Sequence, residues 1–370
     1  MSEHVLVTGG AGFIGSHLVD SLVSGGHTVR VLDTLDEQVH GGKKPDYLNP
    51  GAEYIIGDVC EPDDVRASLG GVSVVFHFAS AVGVGQSMYR IGHYVRSNSL
   101  GTAVLMNEIV NRETDVRKVI VASSMATYGE GAYSCDRCGT VRPPLRGKEQ
   151  MRLKQWEPVC PSCGGACRPI PTPEDAQQHP NSVYALGKRD QEHMVLMLGR
   201  TYGFGATALR FFNVYGPRQS LSNPYTGVCA IFSSRIKNGN PVVIFEDGLQ
   251  TRDFISVHDV VRANLLCMER PEANGKVFNV GSGTPVTIKE IASTLAELYG
   301  SDVRPRITEE FRKGDVRHCY ADMSRIRSLG FEPSIGLADG MRDLVGWGAD
   351  VEAKDGFDQA ERELEEKGLI

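Results

Sequence analysis

Two residues near the middle of the chain have types and spacing suited to proton transfer. In the run Tyr184-Ala-Leu-Gly-Lys188 a phenol and an ammonium lie four residues apart, which would place both on one face of a helix. A free tyrosine has a pKa of about 10, and a nearby cation favours its phenolate, so Lys188 would help Tyr184 act as a base. Ser124, where an apolar strand should end, could hold a substrate hydroxyl for that base. The set makes chemical sense beside an oxidised nicotinamide ring, although a Tyr-x-x-x-Lys match alone can also mark a solvated helix face.

A glycine-rich turn near the start of the chain predicts a nucleotide site. A short apolar strand precedes the turn, a helix follows it, and it contains Gly9, Gly12 and Gly15. Glycines at this spacing allow a tight turn, close backbone approach to a pyrophosphate, and packing of the helix against the strand. Asp33 ends the next predicted strand, where its carboxylate can accept hydrogen bonds from adenosine ribose hydroxyls. Asp33 would repel a 2′-phosphate and therefore favours NAD, while Lys43 and Lys44 leave NADP open.

Strand and helix signals alternate after this turn. Apolar strands are predicted at 52–58, 72–80 and 118–124, and an amphipathic helix at 94–112. Apolar strands separated by helices predict a parallel sheet covered on both faces, so the fold class is α/β with a Rossmann-type doubly wound sheet. His77 lies inside an apolar strand pattern and is expected to be packed rather than catalytic.

The cysteines are concentrated in the long segment between Ser124 and Tyr184. Two Cys-x-x-Cys pairs occur there, Cys135 with Cys138 and Cys160 with Cys163, separated by 21 residues. This spacing predicts a zinc ribbon, in which four thiolates complete a closed tetrahedral shell and the metal is structural. Disulfides are disfavoured in a reducing cytoplasm, and Cys167 is an alternative ligand whose spacing fits less well.

Composition excludes several classes of function. The 370 residues carry a net charge of -7 and contain no basic patch, so no nucleic-acid partner is expected. No apolar run approaches the roughly 20 residues needed to span a bilayer, and the first residues lack a signal-peptide pattern. We therefore expect a cytoplasmic protein without a membrane partner.

Taken together, the motifs form an ordered series over about residues 4–345. The series comprises Thr8-Gly-Gly-Ala-Gly-Phe-Ile-Gly15, Asp58-Val59, Asn98 with Gly101-Thr102, Ser123-Ser124 with Tyr128-Gly129, Tyr184-x-x-x-Lys188, Arg210-Phe-Phe-Asn213-Val-Tyr-Gly-Pro-Arg218, Arg252-Asp-Phe-Ile-Ser-Val-His-Asp259 and Arg312-Lys-Gly-Asp315. With this series the chain resembles the extended short-chain dehydrogenase/reductase family, specifically its nucleotide-sugar epimerases and dehydratases.

The resemblance implies a tightly bound, catalytic NAD, a nucleotide-diphosphate sugar as substrate, and a homodimer. The residues implied in cofactor binding are Gly9, Gly12, Phe13, Ile14, Gly15, Asp33, Asp58, Val59, Phe78, Ala79, Ser80, Asn98, Ser123, Tyr184 and Lys188. The residues implied in substrate binding are Val84, Gln86, Ser87, Ser124, Met125, Asn213, Phe245, Arg252, Arg312 and Asp315. Two arginines and an amide among them are what a dianionic pyrophosphate needs.

The residues after Ser124 narrow the reaction that the resemblance implies. Dehydratases of the family carry an Asp-Glu pair at these places, whereas this chain has Met125 and Ala126, which cannot move a proton. A glutamate that decarboxylases use is also absent, as is the cysteine of the epimerase-reductases. What remains is 4-epimerisation, in which a keto intermediate turns over and takes the hydride back on its other face.

The insertion and its surroundings are most similar to the dTDP-L-rhamnose 4-epimerases, which interconvert that sugar nucleotide with dTDP-6-deoxy-L-talose. UDP-sugars such as UDP-glucose or UDP-glucuronate remain alternatives. So do a 4-ketosugar reductase with the same three residues and a non-enzymatic module that senses NAD, although a sensor would not need Ser124, Tyr184 and Lys188 together.

The expected domain organisation follows the same reading. A NAD-binding Rossmann domain takes 1–130 and 169–224, with a later strand from about 250–265, and the zinc ribbon takes 131–168 as a wall or lid over the sugar. A smaller C-terminal domain at 225–347 mainly binds the nucleotide sugar, and 348–370 form an acidic helical tail on the surface. The helices near 94–112 and 184–202 are candidates for a dimer seam.

Overall fold

A seven-stranded parallel sheet forms the centre of the computed structural model, which describes residues 2–370. Within these residues the chain forms sixteen strands: β1 (His4–Thr8), β2 (Thr28–Asp33), β3 (Glu53–Ile56), β4 (Val74–His77), β5 (Lys118–Ser124), β6 (Ala132–Cys135), β7 (Gly139–Val141), β8 (Arg168–Ile170), β9 (Gly205–Phe211), β10 (Asn213–Tyr215), β11 (Val243–Ile244), β12 (Thr251–Ser256), β13 (Lys276–Val280), β14 (Pro285–Thr287), β15 (Arg306–Ile307) and β16 (His318–Cys319). The same residues form fourteen α-helices: α1 (Phe13–Ser24), α2 (Glu37–His40), α3 (Pro62–Leu69), α4 (Val84–Ser87), α5 (Ile91–Tyr94), α6 (Gly101–Val110), α7 (Lys148–Arg152), α8 (Val183–Tyr202), α9 (Val228–Lys237), α10 (Val257–Glu269), α11 (Ile288–Leu298), α12 (Ser324–Arg327), α13 (Leu337–Ala349) and α14 (Phe357–Glu366).

The sheet confirms the predicted Rossmann-type α/β fold. Its strand order is β13-β9-β5-β4-β1-β2-β3, and every neighbouring pair is parallel. The order reverses between β1 and β4, so the loops that follow these two strands diverge and leave a crevice at the carboxyl edge. That crevice is where ligands bind in open parallel sheets.

The buried strands supply one core on each face of the sheet. In β1, Val5 and Val7 pack with α1 on one face, while Leu6 packs with α3 and α6 on the other. This alternation follows from the two-residue repeat of a strand. His77 confirms its predicted packing role: its ring lies between the hydroxyls of Thr8 and Thr102, 2.8 Å from each, and burial lowers its pKa to about 3.

The two helices beside β5 have defined ends. The helix predicted at 94–112 is formed by α5 and α6, which are joined by a π-helical segment, Val95–Leu100. Helix α8 begins after Ser182, whose side chain accepts a hydrogen bond from the backbone N–H of Ala185, and ends at Gly203 in the left-handed region with φ of 83°.

The smaller C-terminal unit has its own sheet and core. Strand β12 pairs with β10 and β16 in parallel and with β14 antiparallel, and α9, α11 and α13 cover an apolar cluster beside them. The later strand of the main sheet is β13, whereas the segment at 250–265, where we expected that strand, forms β12 and most of α10. The reason is that β10 continues past the end of β9, so β12, which pairs with β10, lies beyond the main sheet.

The insertion is a small antiparallel sheet in the order β7-β6-β8, with both cysteine pairs at its end. The C-terminal helix α14 lies on the surface, as expected, and side-chain contacts attach it to the rest of the chain. Its Glu363 carboxylate accepts hydrogen bonds from the phenols of Tyr89 and Tyr225, and Leu364 packs against Gly85. None of the helices in residues 2–370 has the length and apolar character that a bilayer crossing requires.

Candidate functional site

The glycine turn between β1 and α1 is shaped by contacts that leave no room for side chains. A Cβ on Gly9, which has φ of +72°, would lie 2.7 Å from the backbone nitrogen of Ala79, and a Cβ on Gly15 would lie 2.3 Å from the carbonyl oxygen of Gly9. A Cβ on Gly12 would meet only that same oxygen, at 3.3 Å, so the approach to Gly12 is otherwise open. No side chain caps the first turn of α1. Its backbone N–H groups can therefore bind an anion such as a pyrophosphate.

The acidic residue that ends β2 lies directly beside this turn. One oxygen of Asp33 accepts a hydrogen bond from the backbone N–H of Ala11 at 3.0 Å, and the other accepts from Leu35 at 2.9 Å. Each carboxylate oxygen has a further lone pair that can accept a ribose hydroxyl. Lys44 is directed to the ring of Tyr54, 5.7 Å from its centroid. The arrangement fits an unphosphorylated ribose and so matches NAD.

The other residues predicted at the cofactor fall into two groups. Phe13 and Ile14 begin α1, Phe78, Ala79 and Ser80 form the loop after β4, and Asp58 and Val59 follow β3, so these seven surround the crevice. Asn98 and Ser123 are instead buried and engaged with the protein. The amide of Asn98 bonds both backbone groups of Ala81, and the hydroxyl of Ser123 donates to Glu192 at 2.7 Å.

The polar groups of Asn98 and Ser123 thus have protein partners, and the part of these two residues in cofactor binding stays a prediction. The Ser123 side chain points to the opposite side of β5 from Ser124, because successive residues of a strand alternate. On that side Glu192 forms a buried ion pair with Arg210, whose guanidinium also bonds the phenol of Tyr128.

The three residues of the predicted catalytic set meet at the carboxyl edge of the sheet. Ser124 ends β5, and its hydroxyl oxygen accepts a hydrogen bond from the backbone N–H of Ala126 at 3.1 Å, which leaves the hydroxyl hydrogen free to donate. Tyr184 and Lys188 lie one turn apart near the start of α8, as predicted. The Lys188 side chain is buried, and its Nζ donates to the carbonyl of Ala122 at 3.0 Å.

Burial shifts the pKa of both α8 residues against their charged forms. It raises the pKa of the Tyr184 phenol, and a hydrogen bond with the Ser124 hydroxyl opposes this rise. It lowers the pKa of Lys188 to about 7. We expected Lys188 to favour the phenolate, but a lysine with a pKa near 7 is positively charged in only part of the molecules at neutral pH, which weakens this effect.

The predicted substrate residues converge on the same edge from three segments. Helix α4 contains Val84, which is exposed, and Gln86 and Ser87, whose side chains are buried and bonded within the protein. Met125 follows Ser124 and is partly buried against the core. Asn213 starts β10, two residues after the end of β9, and its side-chain oxygen is buried without a partner. An unpaired buried acceptor is costly, so this oxygen is a position for a ligand donor.

In the C-terminal unit, an aromatic ring and a guanidinium face each other. The guanidinium of Arg312 lies 4.8 Å from the centroid of the Phe245 ring, and its Nε donates to Asp315 at 2.9 Å. The guanidinium of Arg252 is engaged with carbonyls of the next residues, at 2.6 Å from Val316 and 3.1 Å from Arg317. The structure therefore brings Phe245, Arg312 and Asp315 together, with Arg252 on the adjacent backbone.

The four cysteines of the two Cys-x-x-Cys pairs form one cluster. Their sulfur atoms all lie within 4.8 Å of one another, and the Sγ atoms of Cys135 and Cys163 are 3.6 Å apart. A tetrahedral zinc with Zn–S bonds of about 2.3 Å places its sulfurs about 3.8 Å apart, so this donor set fits the metal. All four are free thiols rather than disulfides, and Cys167 lies outside the group.

Sequence reasoning missed a group of buried charges between the insertion and the C-terminal unit. Arg146, in the insertion, forms an ion pair with Glu246, and Arg317 contacts Glu246, Asp247 and Glu157. The only sequence signal is the pair of acidic residues that directly follows Phe245, and nothing along the chain connects it with Arg146.

The chain is similar to known proteins over nearly its whole length. The sequence profile of the NAD dependent epimerase/dehydratase family matches residues 5–147 and 162–281. A dTDP-L-rhamnose 4-epimerase of Burkholderia thailandensis is 34% identical over 353 residues, which cover 93% of this chain and 94% of that protein. Among solved structures, a UDP-glucose 4-epimerase of Thermotoga maritima with UDP-glucose has a TM-score of 0.77 and 33% identity, covering 93% of this chain and 98% of its own. A UDP-glucose 4-epimerase of Thermus thermophilus in complex with NAD has a TM-score of 0.75 and 28% identity, covering 94% of this chain and all (100%) of its own. The chain therefore belongs to the NAD dependent epimerase/dehydratase family.

Proposed function

We propose that this protein is a NAD-dependent nucleotide-sugar 4-epimerase. It oxidises the C4 hydroxyl of the sugar to a ketone and returns the hydride to the opposite face of the ring. The observation that carries the proposal is that Ser124, at the end of β5, meets the start of α8 with Tyr184 and Lys188, where Lys188 donates to the carbonyl of Ala122 in the same strand. Bound NAD supplies the hydride acceptor and, in the second half of the reaction, the hydride donor.

The protein's own groups move one proton and hold the sugar. With the sugar bound, the Ser124 hydroxyl donates its hydrogen to the C4 oxygen instead of to the Tyr184 phenol, and Tyr184 takes the C4 hydroxyl proton at its phenolic oxygen. The same phenol returns the proton when the ketone is reduced, so neither protons nor electrons are consumed. Lys188, whose pKa burial lowers to about 7, is protonated in part of the molecules at neutral pH, and in that charged form it helps the phenol of Tyr184 to ionise.

The neighbours of Ser124 favour this reaction over elimination of water. Met125 and Ala126 form the turn directly after Ser124, and neither side chain can give or accept a proton. Loss of water from the sugar would need an acid and a base at this position. The ketone therefore has only the return of the hydride open to it.

We propose dTDP-L-rhamnose and dTDP-6-deoxy-L-talose as the substrate pair. The name of the Burkholderia relative supports this choice, and the cysteine cluster agrees with the similarity that the sequence suggested. A UDP-sugar such as UDP-glucose or UDP-glucuronate is the alternative, since the similar Thermotoga structure holds UDP-glucose. In either case Phe245, Arg252 and Arg312 bind the end of the ligand that contains the base and the diphosphate. Asn213 accepts a hydrogen bond from a hydroxyl of the ligand.

We also propose that Cys135, Cys138, Cys160 and Cys163 hold a structural zinc. Four thiolates fill a tetrahedral shell and leave no position for a substrate or water, so the metal stabilises the insertion rather than taking part in the reaction.

A homodimer formed through α8 and the segment at 91–100 is part of the proposal. Large apolar side chains on these helices are exposed, namely Ile91, Val95, Leu100, Leu186 and Met197. Exposed apolar surface on two adjacent helices favours burial against a second copy.

The test is incubation of the purified protein with dTDP-L-rhamnose, with no added cofactor, while the anomeric and C4 signals are followed by NMR. Appearance of the talo isomer at a fixed ratio supports a 4-epimerase with resident NAD and this substrate. Turnover of UDP-sugars alone keeps the mechanism and rejects the substrate. Activity only with added NAD(P)H and a ketosugar makes the protein a reductase.

A further inference from the structure

A network of charges joins the cysteine-containing insertion to the segment that begins with Phe245, directly after β11. Arg146 lies in the insertion between the two cysteine pairs, and its side chain is 1% exposed. Its two terminal nitrogens donate to the two carboxylate oxygens of Glu246, each at 2.9 Å. Paired contacts of this kind fix both distance and orientation.

The backbone of Glu246 has an unfavourable conformation that its contacts must stabilise. Glu246 has φ of +56°, in the left-handed region that residues with a side chain rarely adopt. Its carboxylate is 3% exposed and also accepts from Arg317 at 2.9 Å. A non-glycine residue keeps such a conformation only where its surroundings determine it, and here two arginines do so.

Arg146 also reaches the segment that contains Arg312 and Asp315. Its Nη2 donates to the backbone carbonyl of Asp315 at 3.1 Å, and its Nη1 donates to the carbonyl of Trp156 at 3.0 Å. One guanidinium therefore contacts the residue after Phe245 and the residue that pairs with Arg312. These two contacts hold the backbone next to Phe245 and next to Arg312, whose ring and guanidinium lie 4.8 Å apart.

A second contact from the insertion reinforces the first. Glu157 accepts hydrogen bonds from Arg317 at 2.7 Å and from the ring of His318 at 3.0 Å. Arg317 in turn contacts Asp247, two residues after Phe245. The insertion therefore holds the 245–247 segment and the 312–318 segment against each other.

We propose that Arg146 is a positioning residue for the nucleoside diphosphate, because it sets the separation between Phe245 and Arg312. This inference rests on the proposed role of Phe245 and Arg312 at the nucleotide end of the substrate. It assigns the insertion to recognition of the nucleotide, whereas from the sequence we expected a wall or lid over the sugar. The hydrogen bonds of Arg146 go to Trp156, Glu246 and Asp315 and not to the catalytic set, so its loss should weaken nucleotide binding and spare the proton and hydride transfers.

The experiment measures binding of dTDP and of UDP, without a sugar, by isothermal titration calorimetry to the NAD-containing protein. Arg146→Gln should raise the Kd of the nucleotide that binds by about tenfold or more, and raise KM by a similar factor with kcat within about twofold. Arg146→Lys keeps the charge but loses the paired geometry, so its Kd should lie between those of Arg146→Gln and the unchanged protein. Because dTDP and UDP contain no sugar, a wrong sugar or reaction in the proposed function leaves this measurement valid.

The matched control is Arg168→Gln. It breaks an exposed ion pair between Arg168 and Asp136 in the same insertion, where the two side chains are 75% and 79% exposed, and should leave Kd unchanged. Unchanged Kd in a folded Arg146→Gln protein overturns the proposal, as does an equal loss of kcat and of NAD content, which would indicate general damage. If Arg146→Gln does not fold, Glu246→Gln decides in its place: it keeps the shape of the partner, and a Kd equal to that of the unchanged protein rejects the inference.

Discussion

Lys188 is expected to destabilise the fold in which it acts. Burial lowers its pKa from the ordinary 10.5 to about 7, and no carboxylate contributes to this shift. At about 1.4 kcal/mol per pKa unit, the difference corresponds to an upper value of about 5 kcal/mol of lost stability. Lys188→Met fills a similar volume without a charge but leaves the carbonyl of Ala122 unpaired, which costs about 1 kcal/mol or somewhat more. We expect the variant to be more stable at pH 7 by about 2–4 kcal/mol, and inactive.

The pH dependence of this gain follows from the two protonation states. The unfolded chain keeps the Lys188 proton up to a pH of about 10.5, whereas the folded chain releases it near 7. The loss of stability is therefore complete below pH 7, shrinks as the pH rises, and vanishes above about 10.5, where the amine is neutral in both states. The advantage of Lys188→Met over the unchanged protein should accordingly fall between pH 7 and pH 10.

The assay is urea unfolding of both proteins at pH 7 and at pH 9.5, after removal of bound nucleotide, because a ligand that binds the folded state adds stability of its own. Lys118→Met is the matched control: Lys118 is also buried, but its Nζ donates to two carbonyls at the end of α10, Met268 and Arg270, each at 3.1 Å. This control should keep its turnover and lose stability. A Lys188→Met protein that is less stable than the unchanged one at pH 7, or whose advantage does not change with pH, would refute the reasoning.

Three further predictions test the other parts of the site. Tyr184→Phe removes the only hydroxyl proposed to take the C4 proton, so turnover should fall by about a thousandfold or more while the NAD measured in the denatured protein stays the same. Gly15→Ala introduces a Cβ at 2.3 Å from the carbonyl oxygen of Gly9 and should abolish NAD retention, measured by absorbance after gel filtration, in a protein whose circular dichroism is unchanged. Cys160→Ser should reduce the zinc found by metal analysis from about one per chain to nearly none and lower the melting temperature, whereas Cys167→Ser should leave both as they are; equal zinc in the two variants contradicts the four-cysteine assignment.

The sheet and the catalytic edge were predictable because their signals are local. Apolar strand patterns and the spacing of Gly9, Gly12 and Gly15 determine backbone geometry within a few residues, and the four-residue spacing of Tyr184 and Lys188 is one helical turn. Each Cys-x-x-Cys pair likewise brings its two thiols close together through the short turn between them. In each case the physical constraint acts between neighbours in the sequence.

Which way a side chain points depends on information that a motif does not contain. Ser123 and Asn98 stand among residues that surround the crevice, yet Ser123 binds Glu192 and Asn98 binds the backbone of Ala81. A motif gives the position of a residue along the chain, but a strand turns alternate side chains to opposite faces. The pKa of Lys188 has a similar cause, because its burial depends on packing around α8 that the motif does not encode.

The contacts of the C-terminal helix show most clearly that a sequence pattern does not identify the partner of a helix face. The spacing of Phe357, Ala360 and Leu364 identified an amphipathic helix, and such a pattern states that one face must be covered without saying by what. In the structure, Leu364 packs against Gly85 in α4, and Leu369 accepts a backbone hydrogen bond from Lys313, so the tail reaches two segments predicted to bind substrate. These partners are separated from the helix by as many as 279 residues, the interval from Gly85 to Leu364. Pairings over such intervals arise from the completed fold, which is also why Arg146 and Glu246 could be matched only in three dimensions.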